Sequence, residues 1–236
     1  MSEYILIRHG QASFGKANYD QLSALGKKQA FVLGEYLSTA VLDVHKVYIG
    51  GLQRHRETAT EIQIAFEKAG RVLPEFIVDR NLDEHHGPQV VKKYFDQLKL
   101  EDSAEAEYAR NFDARDPLQM KEYFKMFNRI TLQWAEGKIE DPEIQSWTAF
   151  RTQTKLALQK IMEEDLGGER ILVVTSGGPV ASLCGESLGI TEGKIMGLAQ
   201  EIYNASYYKI LRNGNKLSLK VFNKHVYTDK SLITLV

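Results

Sequence analysis

Short runs of apolar residues alternate along the chain with longer segments in which apolar positions recur at helical spacing. The short runs are typical of buried parallel strands, because both faces of such strands are covered. The predicted strands are residues 4–7, 46–49, 76–78 and 171–175. The predicted amphipathic helices are residues 22–37, 54–68, 150–164 and 179–188, the first with Ser23 as its N-cap. Residues 207–211 and 217–222 flank Asn213-Gly214-Asn215 and predict a hairpin.

The order of these elements predicts an α/β fold, a three-layer α/β/α sandwich around a mostly parallel sheet. We expect a single domain over residues 1–236. Residues from about 88 to 147 break the alternation and have the pattern of helices with polar faces. We interpret them as a helical insertion at the carboxyl edge of the sheet, where open α/β sheets bind their ligands.

Composition and charge exclude several classes of protein. Of 236 residues, 43% are hydrophobic and 26% charged, as in ordinary globular domains, and the formal net charge of -1 gives no basic field for nucleic acid. The single cysteine, Cys184, excludes an intrachain disulfide and a CxxC metal site. The first ten residues, MSEYILIRHG, lack the pattern of a signal peptide, and no apolar run has the length of a membrane span. We therefore expect a cytoplasmic protein without a nucleic-acid or membrane partner.

The tripeptide Arg8-His9-Gly10 directly follows the first predicted strand. This places an imidazole at the carboxyl end of a buried strand, and a neutral imidazole is a competent nucleophile toward phosphorus. Arg54 follows the second predicted strand, and a guanidinium fork matches phosphate oxygens two at a time. Arg56 is close enough in sequence to be an alternative to Arg54. The three side chains together indicate chemistry on a phosphate group.

Glu84 follows the third predicted strand. A carboxyl group at the same edge of the sheet can protonate a leaving oxygen and then activate a water. Asp83 is the alternative candidate for this general acid and base.

The motifs that contain these residues resemble those of the histidine phosphatase superfamily, phosphoglycerate-mutase-like proteins, in a bacterial-type branch. The matching segments follow the family's order: residues 6–13 (LIRHGQAS), 22–30 (LSALGKKQA), 52–59 (LQRHRETA), 82–87 (LDEHHG) and 173–178 (VVTSGG). The resemblance implies that His9 is phosphorylated and that Glu84 is the general acid and base. It also implies phosphate contacts for Arg8, Arg54, Gln11 and Ser176, and a reaction that needs neither metal nor cofactor.

Ser176 departs from the family pattern, which has a second histidine at this position. A serine can donate a hydrogen bond to a phosphoryl oxygen but carries no charge. Alternatively, Ser176 is the N-cap of the helix that follows, with Pro179 in its first turn. His85 and His86, next to Glu84, are candidates to supply the missing imidazole.

Three functions are compatible with the sequence. The first is a metal-independent phosphomonoesterase that acts on a small phosphorylated substrate through a phosphohistidine at His9. The second, suggested by Ser176, is a catalytically weak phosphate-binding or interaction protein. The third is a phosphoglycerate mutase, which is disfavoured because Gly15 stands where the mutase branch has an asparagine. The sequence does not specify the substrate, and it is compatible with a homodimer.

Overall fold

The computed structural model describes residues 1–13, 20–41, 43–100, 103–113, 115–226 and 229–235. Six strands form one mixed sheet in the order β3-β2-β4-β1-β5-β6. The strands are β1 (Ser2–Arg8), β2 (Lys46–Ile49), β3 (Phe76–Val78), β4 (Arg170–Thr175), β5 (Tyr207–Asn213) and β6 (Lys216–Lys224). Neighbours among β1 to β4 are parallel, whereas β5 and β6 form an antiparallel hairpin beside β1. The four predicted strands and the predicted hairpin, which supplies the other two strands, are confirmed.

Helices cover both faces of this sheet. They are α1 (Ala24–Ala40), α2 (Gln53–Lys68), α3 (Gly87–Leu98), α4 (Ala104–Arg110), α5 (Pro117–Ala135), α6 (Trp147–Glu164), α7 (Gly177–Leu188) and α8 (Glu192–Gln200). Short 3₁₀ turns span Arg80–Leu82 and Lys230–Leu232. The hydroxyl of Ser23 accepts a hydrogen bond from the Gly26 amide at 3.0 Å, which confirms Ser23 as the N-cap of α1. Within the described residues, none of the helices has the length and apolar character needed to cross a membrane.

Alternate residues of β1 point into two separate hydrophobic cores. Ile5 and Ile7 pack with residues of α1 and α2, such as Leu33 and Phe66. Tyr4 and Leu6 face the opposite side, where the side chains of α6 and α7 lie; these include Phe150, Ile161, Val180 and Leu183. Because one sheet separates two helical layers, the predicted three-layer sandwich is confirmed.

Helices α3, α4 and α5 occupy the segment that the sequence indicated as a helical insertion. Their aromatic residues pack edge to face against one another around Phe95; they include Tyr108, Phe112 and Tyr123. These side chains therefore form a local core for the three helices. The segment leads directly from Glu84, so its first helix begins beside the candidate site.

Candidate active site

The carboxyl ends of three parallel strands bring the main motifs together. Arg8 pairs with Thr175 in the register of β1 and β4, so His9 and Ser176 are the next residues at the same edge of the sheet. Strand β2 lies on the other side of β4 and leads through Gly50 and Gly51 into α2, which carries Arg54. Residues far apart in sequence thus meet where the strand ends meet.

His9 is buried, with 5% of its surface exposed, and is held by main-chain hydrogen bonds. Its amide donates to the Thr175 carbonyl at 2.8 Å, and its carbonyl accepts from the Ala205 amide at 3.1 Å. In the imidazole ring, Nδ1 lies 2.7 Å from the Gly10 carbonyl oxygen. A carbonyl oxygen only accepts, so Nδ1 carries the proton and the lone pair is on Nε2. The unprotonated nitrogen of His9 is therefore Nε2.

The buried guanidinium of Arg54 contacts three groups at once. Its Nε donates to His9 Nε2 at 3.1 Å, and its Nη2 donates to Ser176 Oγ at 3.4 Å. Its Nη1 donates to Asp20 Oδ1 at 2.6 Å, and the Asp20 side chain is about one third exposed. Arg54 therefore connects His9 to Ser176 through two of its nitrogens, while its third nitrogen, Nη1, is bonded to the carboxylate of Asp20.

The Ser176 hydroxyl does not cap α7, although Ser176 occupies the N-cap position of that helix. It bonds instead to Nε2 of His55 at 2.7 Å. Both residues are fully buried, and the His55 ring lies 5.8 Å from the His9 ring, centre to centre. The prediction that Ser176 is the N-cap residue of α7 is confirmed, but its side chain makes no capping bond because the hydroxyl bonds to α2 across the site.

Glu84 lies beside the first turn of α7. Its Oε2 accepts from the Gly178 amide at 3.3 Å, and its Oε1 accepts from the His85 amide at 3.0 Å. A Cβ at Gly178 would overlap Glu84 Oε1 and lie 2.5 Å from His85 Cδ2, so only glycine allows this approach. Asp83, the alternative to Glu84, accepts from the Gly51 amide at 2.5 Å and lies at the start of α2.

Arg8 and Gln11 each form a hydrogen bond with a residue other than His9. Arg8 Nη1 donates to the carbonyl of Ile202, and the Gln11 carboxamide oxygen accepts from Ser23 Oγ at 2.9 Å. The structure thus brings His9, Arg54, Ser176 and Glu84 to one edge of the sheet. Phosphate contacts by Arg8 and Gln11 stay predictions.

Neither histidine next to Glu84 is the one that contacts Ser176. His85 Nε2 lies 3.6 Å from Glu84 Oε1, with its ring packed on Trp134 and Phe150. His86 is exposed and is the N-cap of α3. The imidazole that contacts Ser176 is thus that of His55 on α2, and a contact of His85 or His86 with a phosphoryl group stays a prediction.

Sequence reasoning missed His55 and Asp20. A signal for His55 was present, since a histidine next to Arg54 accompanies a serine where the family has histidine. Asp20 has no comparable signal, because it precedes α1 in a loop. Gly15 lies outside the described residues. Among the described residues, no group of three or more His, Cys, Asp or Glu side chains is arranged to hold a metal ion.

Burial and positive charge act in the same direction on the two imidazoles. Burial, followed by the charges of Arg54 and Arg8, holds the pKa of His9 well below its ordinary value. Burial and Arg54 likewise hold the pKa of His55 well below its ordinary value. Both rings are therefore neutral at neutral pH, so His9 Nε2 carries a lone pair, which accepts the hydrogen bond from Arg54 Nε.

This protonation state predicts a loss of stability in mild acid. In the unfolded chain both imidazoles bind protons below about pH 6.5, whereas the folded protein keeps them neutral. The free energy of unfolding should therefore fall as pH decreases below that value, by up to ~1.4 kcal/mol per pH unit for each imidazole. Urea unfolding at pH 7.5 and 5.5 measures this dependence. His9→Asn and His55→Asn should each weaken it, and an unchanged dependence in both variants would contradict the assignment.

Comparison with known proteins identifies the family. The sequence model of the histidine phosphatase superfamily (branch 1) matches residues 4–129 and 110–225. Phosphoglycerate mutase-like protein 4 of Arabidopsis thaliana is 30% identical over 190 residues, which are 77% of this chain and 69% of that protein.

Two solved structures illustrate the shared fold. A mycobacterial glucosyl-3-phosphoglycerate phosphatase superposes with a TM-score of 0.61 at 19% identity, over 95% of this chain and 99% of its own. A phosphoglycerate mutase from Bacillus anthracis superposes with a TM-score of 0.60 at 18% identity, over 94% of this chain and 92% of its own.

The family match includes His9, Arg54, Glu84 and Ser176. Members of this superfamily are phosphatases or mutases. The chain belongs to the histidine phosphatase superfamily.

Proposed function

We propose that the protein is a metal-independent phosphomonoesterase that transfers the phosphoryl group of a small substrate to His9 Nε2 and then to water. The observation that carries this proposal is the orientation of His9. Its Nδ1–H donates to the Gly10 carbonyl at 2.7 Å, while its Nε2 points to the guanidinium of Arg54. The nucleophilic lone pair thus lies beside the group best suited to bind phosphoryl oxygens.

In the first step, a bond forms between His9 Nε2 and phosphorus while the ester P–O bond breaks. The carboxyl group of Glu84 gives its proton to the leaving oxygen. In the second step, a water attacks phosphorus and gives a proton to Glu84, the P–N bond breaks, and the electron pair returns to Nε2. Glu84 thus acts first as an acid and then as a base.

Arg54 changes partners when the substrate binds. Without substrate, its Nε–H occupies the lone pair of His9 Nε2 and its Nη1 is paired with Asp20. A phosphoryl dianion offers oxygens at both positions, so the guanidinium turns toward it and frees Nε2 for attack. The Asp20 carboxylate, which is partly exposed, is displaced toward solvent.

Rapid quenching of the protein with a radiolabelled phosphoester tests this proposal. A panel of phosphoesters that includes para-nitrophenyl phosphate should reveal turnover, and the label in quenched samples should be on the peptide that contains His9. Binding of phosphate without turnover would identify a phosphate-binding protein instead. Exchange between 2- and 3-phosphoglycerate without net hydrolysis would identify a mutase. Label on another residue would reject His9 as the acceptor.

Glu84→Gln should reduce turnover according to the leaving group. General acid catalysis contributes ~10²–10⁴ in rate, so hydrolysis of an alkyl phosphate should fall by about that factor. The loss with para-nitrophenyl phosphate should be smaller, because the phenolate leaves without a proton. Steady-state kinetics with both esters measures the difference. Glu75→Gln, on an exposed residue before β3, is the matched control and should change neither rate. Equal losses for both esters would contradict the role of Glu84.

A further inference from the structure

One buried imidazole of the site has no part in the proposed reaction. His55 is fully buried, and its Nε2 is 2.7 Å from the hydroxyl of Ser176. Ser176 Oγ also accepts a hydrogen bond from Nη2 of Arg54, and Nε of the same guanidinium donates to His9 Nε2. The hydroxyl therefore lies between His55 and the fork that we expect to bind the phosphoryl group.

The opposite side of the His55 ring faces a carboxylate. Within the described residues, nothing forms a hydrogen bond with Nδ1 of His55, and Asp83 Oδ1 lies 3.8 Å away from it. Asp83 is itself fixed by the Gly51 and Leu52 amides. A buried ring nitrogen without a hydrogen bond is costly, so its retention here needs a reason beyond packing.

The chain makes space for this ring at Gly50. A Cβ at that position would lie 2.7 Å from His55 Cε1 and 2.9 Å from Asp83 Oδ1, which is closer than side chains pack. Ser176 likewise directs its hydroxyl to His55 and makes no side-chain cap on α7. The geometry of both neighbouring segments is thus adapted to the imidazole.

From this arrangement we propose that His55 is a positioning residue: it orients the Ser176 hydroxyl so that the hydroxyl donates a hydrogen bond to a phosphoryl oxygen. In this proposal His55 carries its proton on Nε2 and donates it to Ser176 Oγ, so the hydroxyl proton is left to point to the phosphoryl group. Ser176 and Arg54 bind the same group from two elements, α7 and α2. As phosphoryl charge shifts in the reaction, the pair acts as a preorganised donor. This inference rests on the proposed function for its effect on rate, but not for its effect on phosphate binding.

Four variants test the pair: His55→Ala, Ser176→Ala, the double variant with both changes, and His55→Gln. Because a hydrogen bond to a charged group is lost, each alanine variant should bind inorganic phosphate about tenfold more weakly by calorimetry. Each should also lower kcat by about 10²-fold. The double variant should lose no more than either single variant, since the two residues act as one unit. His55→Gln should recover part of the loss, because its amide N–H can donate to Ser176.

A fifth variant moves the imidazole from position 55 to position 176. The double substitution His55→Ala with Ser176→His should have a higher kcat than His55→Ala, because the new imidazole can donate to the phosphoryl group directly. His45→Ala, which removes an exposed histidine just before β2 and at the end of that strand away from the site, is the matched control and should match the wild type. If His55→Ala does not fold, Ser176→Ala and His55→Gln carry the comparison.

Three results would overturn the inference: phosphate affinity of His55→Ala within about twofold of the wild type, additive losses in the double variant, or a His55→Gln variant no better than alanine. The phosphate titration separates this failure from failure of the proposed function. Absence of wild-type turnover rejects the phosphomonoesterase, while the phosphate affinities still report on His55 and Ser176.

Discussion

His9→Ala is expected to lower kcat by a factor of about 10⁵ or more, to a level close to background hydrolysis. The reason is that, among the described residues, no other neutral imidazole has its lone pair directed at the guanidinium of Arg54. Without Nε2 the phosphoenzyme cannot form, and a water must attack the ester directly. Initial rates on para-nitrophenyl phosphate and radiolabel retained after quenching measure both effects.

Phosphate binding distinguishes this loss from unfolding. Arg54 and Ser176 remain in His9→Ala, so inorganic phosphate should still bind to the variant. His9→Asn keeps a polar group near the Gly10 carbonyl and serves as the better-folded second variant. Turnover above one hundredth of the wild-type rate in both variants would remove His9 from the mechanism.

Arg54→Ala should lower kcat/KM by about 10³-fold or more, since arginines that stabilise a transferring phosphoryl group contribute ~10³–10⁵. The substitution removes a side chain that bonds to His9, Ser176 and Asp20 at once. Arg54→Lys keeps the charge but not the fork, so it should recover only part of the loss. Steady-state kinetics on the same ester, with phosphate as a competitive inhibitor, separates binding from turnover.

Arg56→Ala is the matched control for this prediction. Arg56 lies on the same helix, two residues later, but is exposed. Surface substitutions change the free energy of unfolding by about 0.5 kcal/mol or less. A change of that size in the activation free energy alters kcat/KM by about twofold, so kcat/KM should stay within that range of the wild type. A comparable loss in both variants would mean that the net charge of α2, and not the placement of Arg54, controls the reaction.

The sequence predicted the sheet well because its central strands are covered on both faces. Continuous apolar runs such as residues 171–175 have few alternative structures, and Ser23 marks the start of α1. Helix α8 (Glu192–Gln200) was not predicted. Its sequence, EGKIMGLAQ, includes two glycines, which lower helix propensity, and it is held by packing of Ile195 and Met196 in the core.

The candidate site was predicted less completely, for a geometric reason. Motifs at the ends of parallel strands converge, so the order of the sequence brought His9 together with Arg54 or Arg56 and with Glu84 or Asp83. The family resemblance then favoured Arg54 and Glu84. The contact of His55 with Ser176 joins residues 121 positions apart, on two different helices. Adjacent helix residues point about 100° apart, so sequence alone favoured Arg54 and left the direction of His55 undefined.

The position of β1 in the sheet has a consequence for biosynthesis. This strand comes before its neighbours β4 and β5 in the sequence, and those strands end at Thr175 and Asn213. His9 is therefore synthesised long before it can be held in place, because the Thr175 carbonyl and the Ala205 amide that bond to its main chain come later. Such distant pairings slow folding. A nascent chain that ends before β5 should therefore lack a formed site, which would confine any phosphoryl transfer at His9 to the folded protein.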